Sequence, residues 1–208
     1  LQFLQERNGK SSPDAALMKV VLQESDRLNA IITSFLAFAR PSENGLPGNG
    51  YSPIDLGTAV ADCLTLLEHS PDITEKHRID FVPASDPVFV EGNEPQIKQV
   101  IWNLTRNAIE AMPAGGRMRV ELRKVNGRAR LTFADTGPGI DDDIREHLFE
   151  PFISGRGGLG LGLSIVHTIV QDHGGQITVD SSPGAGTRVA VELPLAKKSV
   201  NAHFAYSR

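Results

Sequence analysis

Hydrophobic residues at Leu17, Val21, Leu28, Ile31, Phe35 and Phe38 recur three, four or seven positions apart, with one break near Glu24. That spacing predicts a single apolar stripe along a long amphipathic helix. Ser12-Pro13-Asp14 supplies its start, a capping hydroxyl followed by proline at the first helical position, and Arg40-Pro41 stops it. Residues 1–7 read as the end of a preceding helix, with Asn8-Gly9 in the turn. Two such helices are too thin to bury the stripe, so a homodimer through the N-terminal helices is expected.

Residues 42–52, rich in Gly, Pro, Asn and Ser, read as a linker. Beyond it the pattern predicts helices over 55–69, 94–112 and 161–173. Strands are predicted over 78–83, 88–91, 117–125, 129–134, 176–181 and 187–193. Asn126-Gly127 between two of these strands is a strong hairpin signal. Helices interleaved with antiparallel hairpins imply an α+β fold, a sheet covered on one face by helices. The expected organisation is a partial helical hairpin at 1–41, the linker, a main domain at 53–195 and a patternless tail at 196–208.

Composition narrows the function classes. With 208 residues, 40% of them hydrophobic, the chain can bury one sizeable core plus an appendage. A net charge of −4 lacks the basic footprint of nucleic-acid binding. No apolar run approaches the ~20 residues that span a bilayer, so no membrane contact by this chain is expected; its own location is expected to be cytoplasmic, with a parent protein that could still be membrane-anchored. The one cysteine, Cys63, lies among Leu64, Leu66 and Leu67 and reads as core packing in a reducing compartment.

Four phrases carry candidate chemistry. Asn103-Leu-Thr-Arg-Asn107 sets two amides on one helix face, since residues four apart project together. Their carbonyl oxygens suit Mg²⁺, which keeps several waters and takes anionic ligands from nucleotide phosphates; two solvated asparagines are the plainer reading. Asp135-Thr-Gly-Pro-Gly-Ile140 follows a strand, where a carboxylate can accept from the adenine amine and glycines admit a flat ring. The same residues also make an ordinary turn. Gly155-Arg-Gly-Gly-Leu-Gly-Leu-Gly-Leu163 leads into an apolar helix, a natural phosphate cradle with none of the lysine of a P-loop. Gly184-Ala-Gly-Thr187 opens the last strand, with a hydroxyl in reach of a purine or simply a hairpin turn.

In this order the phrases, together with Leu148-Phe-Glu-Pro-Phe152, resemble the N, G1, F, G2 and G3 boxes of the histidine kinase catalytic domain. Its fold is the Bergerat ATP-binding fold of gyrase B, Hsp90 and MutL, a two-layer α/β sandwich with a mixed sheet. The resemblance covers roughly residues 55–194. Ser34-Phe-Leu-Ala-Phe-Ala-Arg-Pro41 is similar to the end of the second dimerisation helix of such sensor kinases, nitrogen-sensor-like members especially. The resemblance implies ATP and Mg²⁺ as cofactors, a response regulator as partner, and a role for each matching position. Asn107 would hold Mg²⁺, with Asn103 beside the phosphates. Asp135 would read adenine in a pocket shaped by Gly137, Gly139 and Ile140. Arg156 would meet the γ-phosphate, and Gly158, Gly160, Leu161, Gly162 and Leu163 would form the phosphate cradle. Thr187 would support the purine, and Phe149 and Phe152 would anchor the lid.

Departures from the pattern are visible. Ala111 stands where many members place an aromatic ring, and Glu110 where many carry lysine, so either affinity is lower or Arg106 supplies part of the phosphate charge, although a lone arginine reads first as a surface residue. The lid between Phe152 and Gly158 is short. None of His69, His77, His147, His167, His173 and His203 stands in a His-Glu-x-Arg/Lys-Asn-Pro acceptor phrase, and each reads as a surface or helix-end residue. The chain opens inside a helical phrase, so the acceptor is expected upstream of Leu1. The rival reading, a conformational ATPase of the gyrase and Hsp90 kind, meets an amide at Asn103 where those enzymes carry a water-activating glutamate. An anti-sigma-type serine kinase usually lacks the long paired helix, and a decayed nucleotide-sensing scaffold sits poorly with intact boxes.

Overall fold

The computed structural model describes residues 50–68, 70, 73–153 and 160–196. The chain divides into two units, Leu1–Pro41 and Ser42–Arg208. The amphipathic stripe and dimer helices, linker residues 42–49, Arg156, Gly158 and the tail from 197 onward lie outside the described residues. In chain order the elements are β1 (Ser52–Asp55), α1 (Leu56–Glu68), β2 (His77–Val82), β3 (Phe89–Gly92) and α2 (Glu94–Glu110). They continue as β4 (Gly116–Val125), β5 (Arg128–Asp135), α3 (Asp142–Arg145), α4 (Gly162–Asp172), β6 (Gln176–Ser181) and β7 (Thr187–Pro194).

Local chemistry explains the strongest elements. Asn93 caps α2 with Oδ1 accepting from the Gln96 N–H, and proline follows in the first turn. Ile97, Val100, Ile101, Leu104, Ala108 and Ile109 then repeat at helical period and are buried. Asn126 and Gly127 hold φ of 50° and 74°, the paired left-handed residues of a tight hairpin turn, and so fix the β4–β5 register. That register puts Met118, Val120 and Leu122 on the same face as Ala129, Leu131 and Phe133, all buried.

The main sheet has five strands in the order β2–β4–β5–β7–β6. β2 runs parallel to β4, reached through β3 and α2, and the other neighbours are antiparallel. Helices cover one face: α2 lies against β5, α4 against β6 and β7, and α1 against α2. The mixed sheet under a helical layer is the α+β sandwich expected from the sequence, and Cys63 is core packing at 5% exposure.

Beyond shifts of one or two residues at element ends, the structure differs from the sequence reading at both ends of the main domain. Ser52, read as the last linker residue, is the first residue of β1, whose antiparallel pairing with β3 makes a separate small sheet. Four residues containing a proline carry no periodic signal, so this strand exists by tertiary pairing alone. Ala196, read as the first tail residue, still donates its N–H to Phe89 O.

His173 is also more than a helix-end residue. It is buried, stacks on Tyr51 at 5.0 Å, and its Nε2 accepts from the Asn93 N–H at 3.1 Å. The ring proton then lies on Nδ1, which donates to Ile169 O at 2.7 Å. This ties the end of α4 to the cap of α2.

Candidate functional site

The two amides of α2 come first. Asn103 and Asn107 are half-buried, and neither side chain makes a hydrogen bond among the described residues. Asn107 faces the start of α4 so closely that a Cβ on Gly162 would lie 3.6 Å from its Oδ1 and 3.7 Å from its Nδ2. α4 opens after buried Leu161 with no side-chain cap bond, while Ser164 Oγ donates to Leu161 O at 2.9 Å. Its first-turn N–H groups therefore lack a capping acceptor, the ordinary condition of an anion-binding helix end. Leu163 packs against the core behind this turn.

A second cluster gathers at the ends of β5 and β7. Asp135 Oδ1 accepts the Gly137 N–H at 2.8 Å, which fixes the carboxylate. A side chain on Gly137 would meet that oxygen at 2.8 Å and both Cβ and O of Ala111 at 3.2 Å, so the glycine lets this turn lie on the end of α2. Gly139 and Gly186 interlock the two turns. Their φ values are +77° and +82°, and added Cβ atoms would stand 2.0 Å from Ser182 O and 2.1 Å from Asp135 O.

Thr187 pairs with Asp135 in register and hydrogen-bonds Ser181 Oγ at 3.0 Å. Because the single Ser181 hydroxyl proton goes to Gly186 O at 2.9 Å, Thr187 is the donor here and keeps its lone pairs as acceptors. Sequence reasoning missed Ser181, whose place opposite Thr187 is set by the β6–β7 register and by no local pattern. The recess at this sheet end, lined by Asp135, Thr187, Asp180 and Arg188 among others, is about 190 Å³. That is below the roughly 300–1,000 Å³ of small-molecule pockets, so it does not by itself define a nucleotide site.

The segment before α4 begins at the chain Leu148–Ile153. Leu148 is buried, and Phe149 stacks on His167 of α4 with ring centroids 4.8 Å apart. Phe152 holds a φ of 69° and its N–H donates to Gly160 O at 3.1 Å. Phe152 is 65% exposed and so is not core packing. Arg106 Nε donates to Glu110 at 2.6 Å on the exposed side of α2, the surface placement that the sequence also offered for it.

Nearby, Glu150 bonds His147 Nδ1 at 2.7 Å and, first through that bond and then through its charge, raises the imidazole above its ordinary 6.5. A raised folded-state pKa gives a contribution present below the ordinary value and lost as pH rises through the folded one. The pair is exposed, so the effect on stability is small. An NMR titration should place His147 above an unperturbed histidine, and Glu150→Gln should return it; an unmoved midpoint would refute the pairing.

The structure thus brings Asn107 to Gly162, Asp135 and Ala111 to Gly137, and Thr187 beside Asp135, with half-buried Ile140 following the glycine turn after Asp135. Residues 92–197 match the family of histidine kinase-, DNA gyrase B- and HSP90-like ATPases. The chain belongs to that family.

Within this ATPase family, the mycobacterial sensor histidine kinase MprB is similar at 31% identity with a TM-score of 0.60, covering 70% of this chain and 97% of that one. Full-length ShkA, solved in complex with AMPPNP, is similar at 26% identity with a TM-score of 0.75, over 93% of this chain and 41% of that one. Among sequences, the C4-dicarboxylate transport sensor protein DctB of Rhizobium meliloti is 36% identical over 90% of this chain and 30% of its own length. Sporulation kinase D of Bacillus subtilis is 28% identical over 94% of this chain and 38% of its own. The chain therefore spans about a third of these curated relatives, and it carries the ATP-binding domain of the sensor histidine kinase branch. No helix among the described residues is long and apolar enough to cross a membrane.

Proposed function

We propose that this chain binds ATP with Mg²⁺ and presents the γ-phosphate to a histidine of its parent kinase, from which the phosphate passes to a response-regulator aspartate. The observation that carries the reading is the seating of the Asn107 amide against the uncapped start of α4. An amide oxygen beside helix N–H groups suits a cation and the phosphates that share it. No group of three or more His, Cys, Asp or Glu side chains is poised for a metal among the described residues. A cation at Asn107 would thus draw its anionic ligands from the nucleotide, as Mg²⁺ does in phosphoryl-transfer sites, and would supply charge neutralisation there.

The chain's own residues do the positioning. Asp135, oriented by the Gly137 N–H, has acceptor sites enough to take the adenine amine as well. Gly137, Gly139 and Ile140 bound the purine, and Thr187 accepts from it or from a bridging water. Asn103 stands beside the phosphates, the glycines at 158, 160 and 162 with Leu161 and Leu163 wrap them, and Arg156 meets the γ-phosphate. Asn103 has no useful basicity near neutral pH, so water activation is disfavoured against transfer. The parent acts as a homodimer through the helices that the sequence predicts in 1–41, with this part of it on the cytoplasmic side, whether the parent is free or anchored to a membrane.

Asp135→Asn should weaken ATP binding by ~1–3 kcal/mol, the cost of mispairing a buried polar group. Calorimetry on the folded variant checks this, and unchanged affinity would remove Asp135 from the pocket. For the reaction, a separate histidine-bearing acceptor helix pair should gain acid-labile label from γ-labelled ATP. The chain alone should neither label itself nor turn over ATP steadily; vigorous turnover would favour the conformational ATPase.

A further inference from the structure

The outer face of the five-stranded sheet, opposite the helices, has its own chemistry, beyond the nucleotide reading. Strand register arranges it in rows. One row runs Asp80, Arg119, Ala134, Arg188, Asp180 across the five strands, and the next runs Val82, Glu121, Thr132, Ala190, Thr178. Arg78 and Arg117 stand at one end of these rows, and Arg123, Arg128 and Arg130 at the other. Arginine alone supplies the positive charge, and it outnumbers the carboxylates of this face although the whole chain carries −4.

Ion pairs account for most of those arginines. Asp80 lies 3.6 Å from Arg78 and 3.9 Å from Arg117, Glu121 bonds Arg123, and Glu192 serves Arg128 and Arg130. Arg119 and Arg188 make no ion pair among the described residues, and both are exposed. They flank Ala134 from the two neighbouring strands, so their backbones stand roughly 10 Å apart at ~4.8 Å per strand. Between them the floor is low: Ala134 and Ala190 are small, and Thr132 is only 8% exposed despite facing outward.

We propose that this face docks an acidic helix of a partner protein, laid along the row with two carboxylates on Arg119 and Arg188 and a small-residue stripe on the floor. Residues seven apart on one helix face are separated by about 10.5 Å, which matches the arginine spacing. Guanidinium forks pair with carboxylates in two parallel hydrogen bonds, which lysines do not. Asp80 and Asp180 bracket the row, so its charge order is negative, positive, neutral, positive, negative. A helix with glutamates inside and lysines outside complements that order, whereas a uniform polyanion such as nucleic acid meets repulsion at both ends.

The test uses the full chain and a fluorescein-labelled, alanine-based helical peptide with glutamates seven apart and flanking lysines, followed by anisotropy at low salt. Binding should weaken about tenfold in the Arg119→Glu, Arg188→Glu double variant and less in the corresponding double lysine variant. ATP affinity should stay unchanged in the single Arg119→Glu variant, since Arg119 does not line the recess beside Asp135 and Thr187. A composition-matched peptide with adjacent glutamates should bind about tenfold more weakly than the spaced one. The proposal is overturned if neither peptide binds, or if the two bind equally. Tighter binding of an oligothymidylate of equal charge, or removal of self-association by the glutamate variants in sedimentation, overturns it in favour of a nucleic acid or a second copy.

Discussion

Asn107→Ala is expected to reduce phosphoryl transfer to a supplied acceptor helix pair by roughly 10²–10³, the usual cost of deleting one preorganised electrostatic contact at a reacting phosphate. The expectation rests on geometry. The amide is half-buried, makes no hydrogen bond among the described residues, and faces the first residue of α4. A polar group held there without an internal partner has nothing structural to lose, so truncation should leave the melting temperature nearly unchanged. The readout that separates a cation role from packing is the Mg²⁺ dependence of ATP affinity. In the unaltered chain, adding Mg²⁺ should tighten ATP binding; in the variant that gain should shrink while metal-free affinity stays put. Asn107→Asp should fail too, because a carboxylate brings charge toward the phosphates. Transfer within about threefold of the unaltered chain would remove Asn107 from the site.

The contrast between Asn107 and Ser181 shows what the sequence carries. Asn103 and Asn107 were legible because helical period is a strong local rule: once α2 is fixed by Ile97, Val100, Ile101 and Leu104, residues four apart must share a face. The hairpin was legible because Asn126-Gly127 is a strong turn signal, and Asp135 because it ends the second strand just before a glycine turn. Ser181 and β1 obey no local rule. The hydroxyl of Ser181 matters only because β7 returns beside β6 and sets Thr187 opposite it. Pro53 would argue against a strand in isolation, yet β1 exists because β3 offers an edge. Arg106 is the converse case, where the plainer of two readings, a surface arginine, is the one the structure shows. Its partner Glu110 lies one turn on, a pairing the helix permits on its exposed face but does not require.

The interlocked glycines give the last expectation, in which two substitutions that look alike in sequence diverge in effect. Gly184 and Gly186 both adopt left-handed backbone, at φ of +79° and +82°. Alanine at either position costs about 1–2 kcal/mol for that conformation. At Gly184 the added methyl meets nothing within 4 Å, so the conformational cost is the whole effect. At Gly186 the same methyl stands 2.1 Å from Asp135 O, a backbone atom in a central strand that no rotamer change can move. The turn or the strand end must shift, and a total of roughly 2–4 kcal/mol is expected. At about 2–4 °C per kcal/mol for a domain of this size, Gly186→Ala should melt some degrees below Gly184→Ala. Because the obstructed atom belongs to Asp135, the displacement also reaches the proposed adenine contact. ATP affinity of the folded protein should therefore fall in Gly186→Ala and hold in Gly184→Ala, measured by calorimetry well below both melting points. Equal melting temperatures would refute the interlock itself. A destabilised Gly186→Ala with undiminished ATP affinity would keep the interlock and detach it from nucleotide binding.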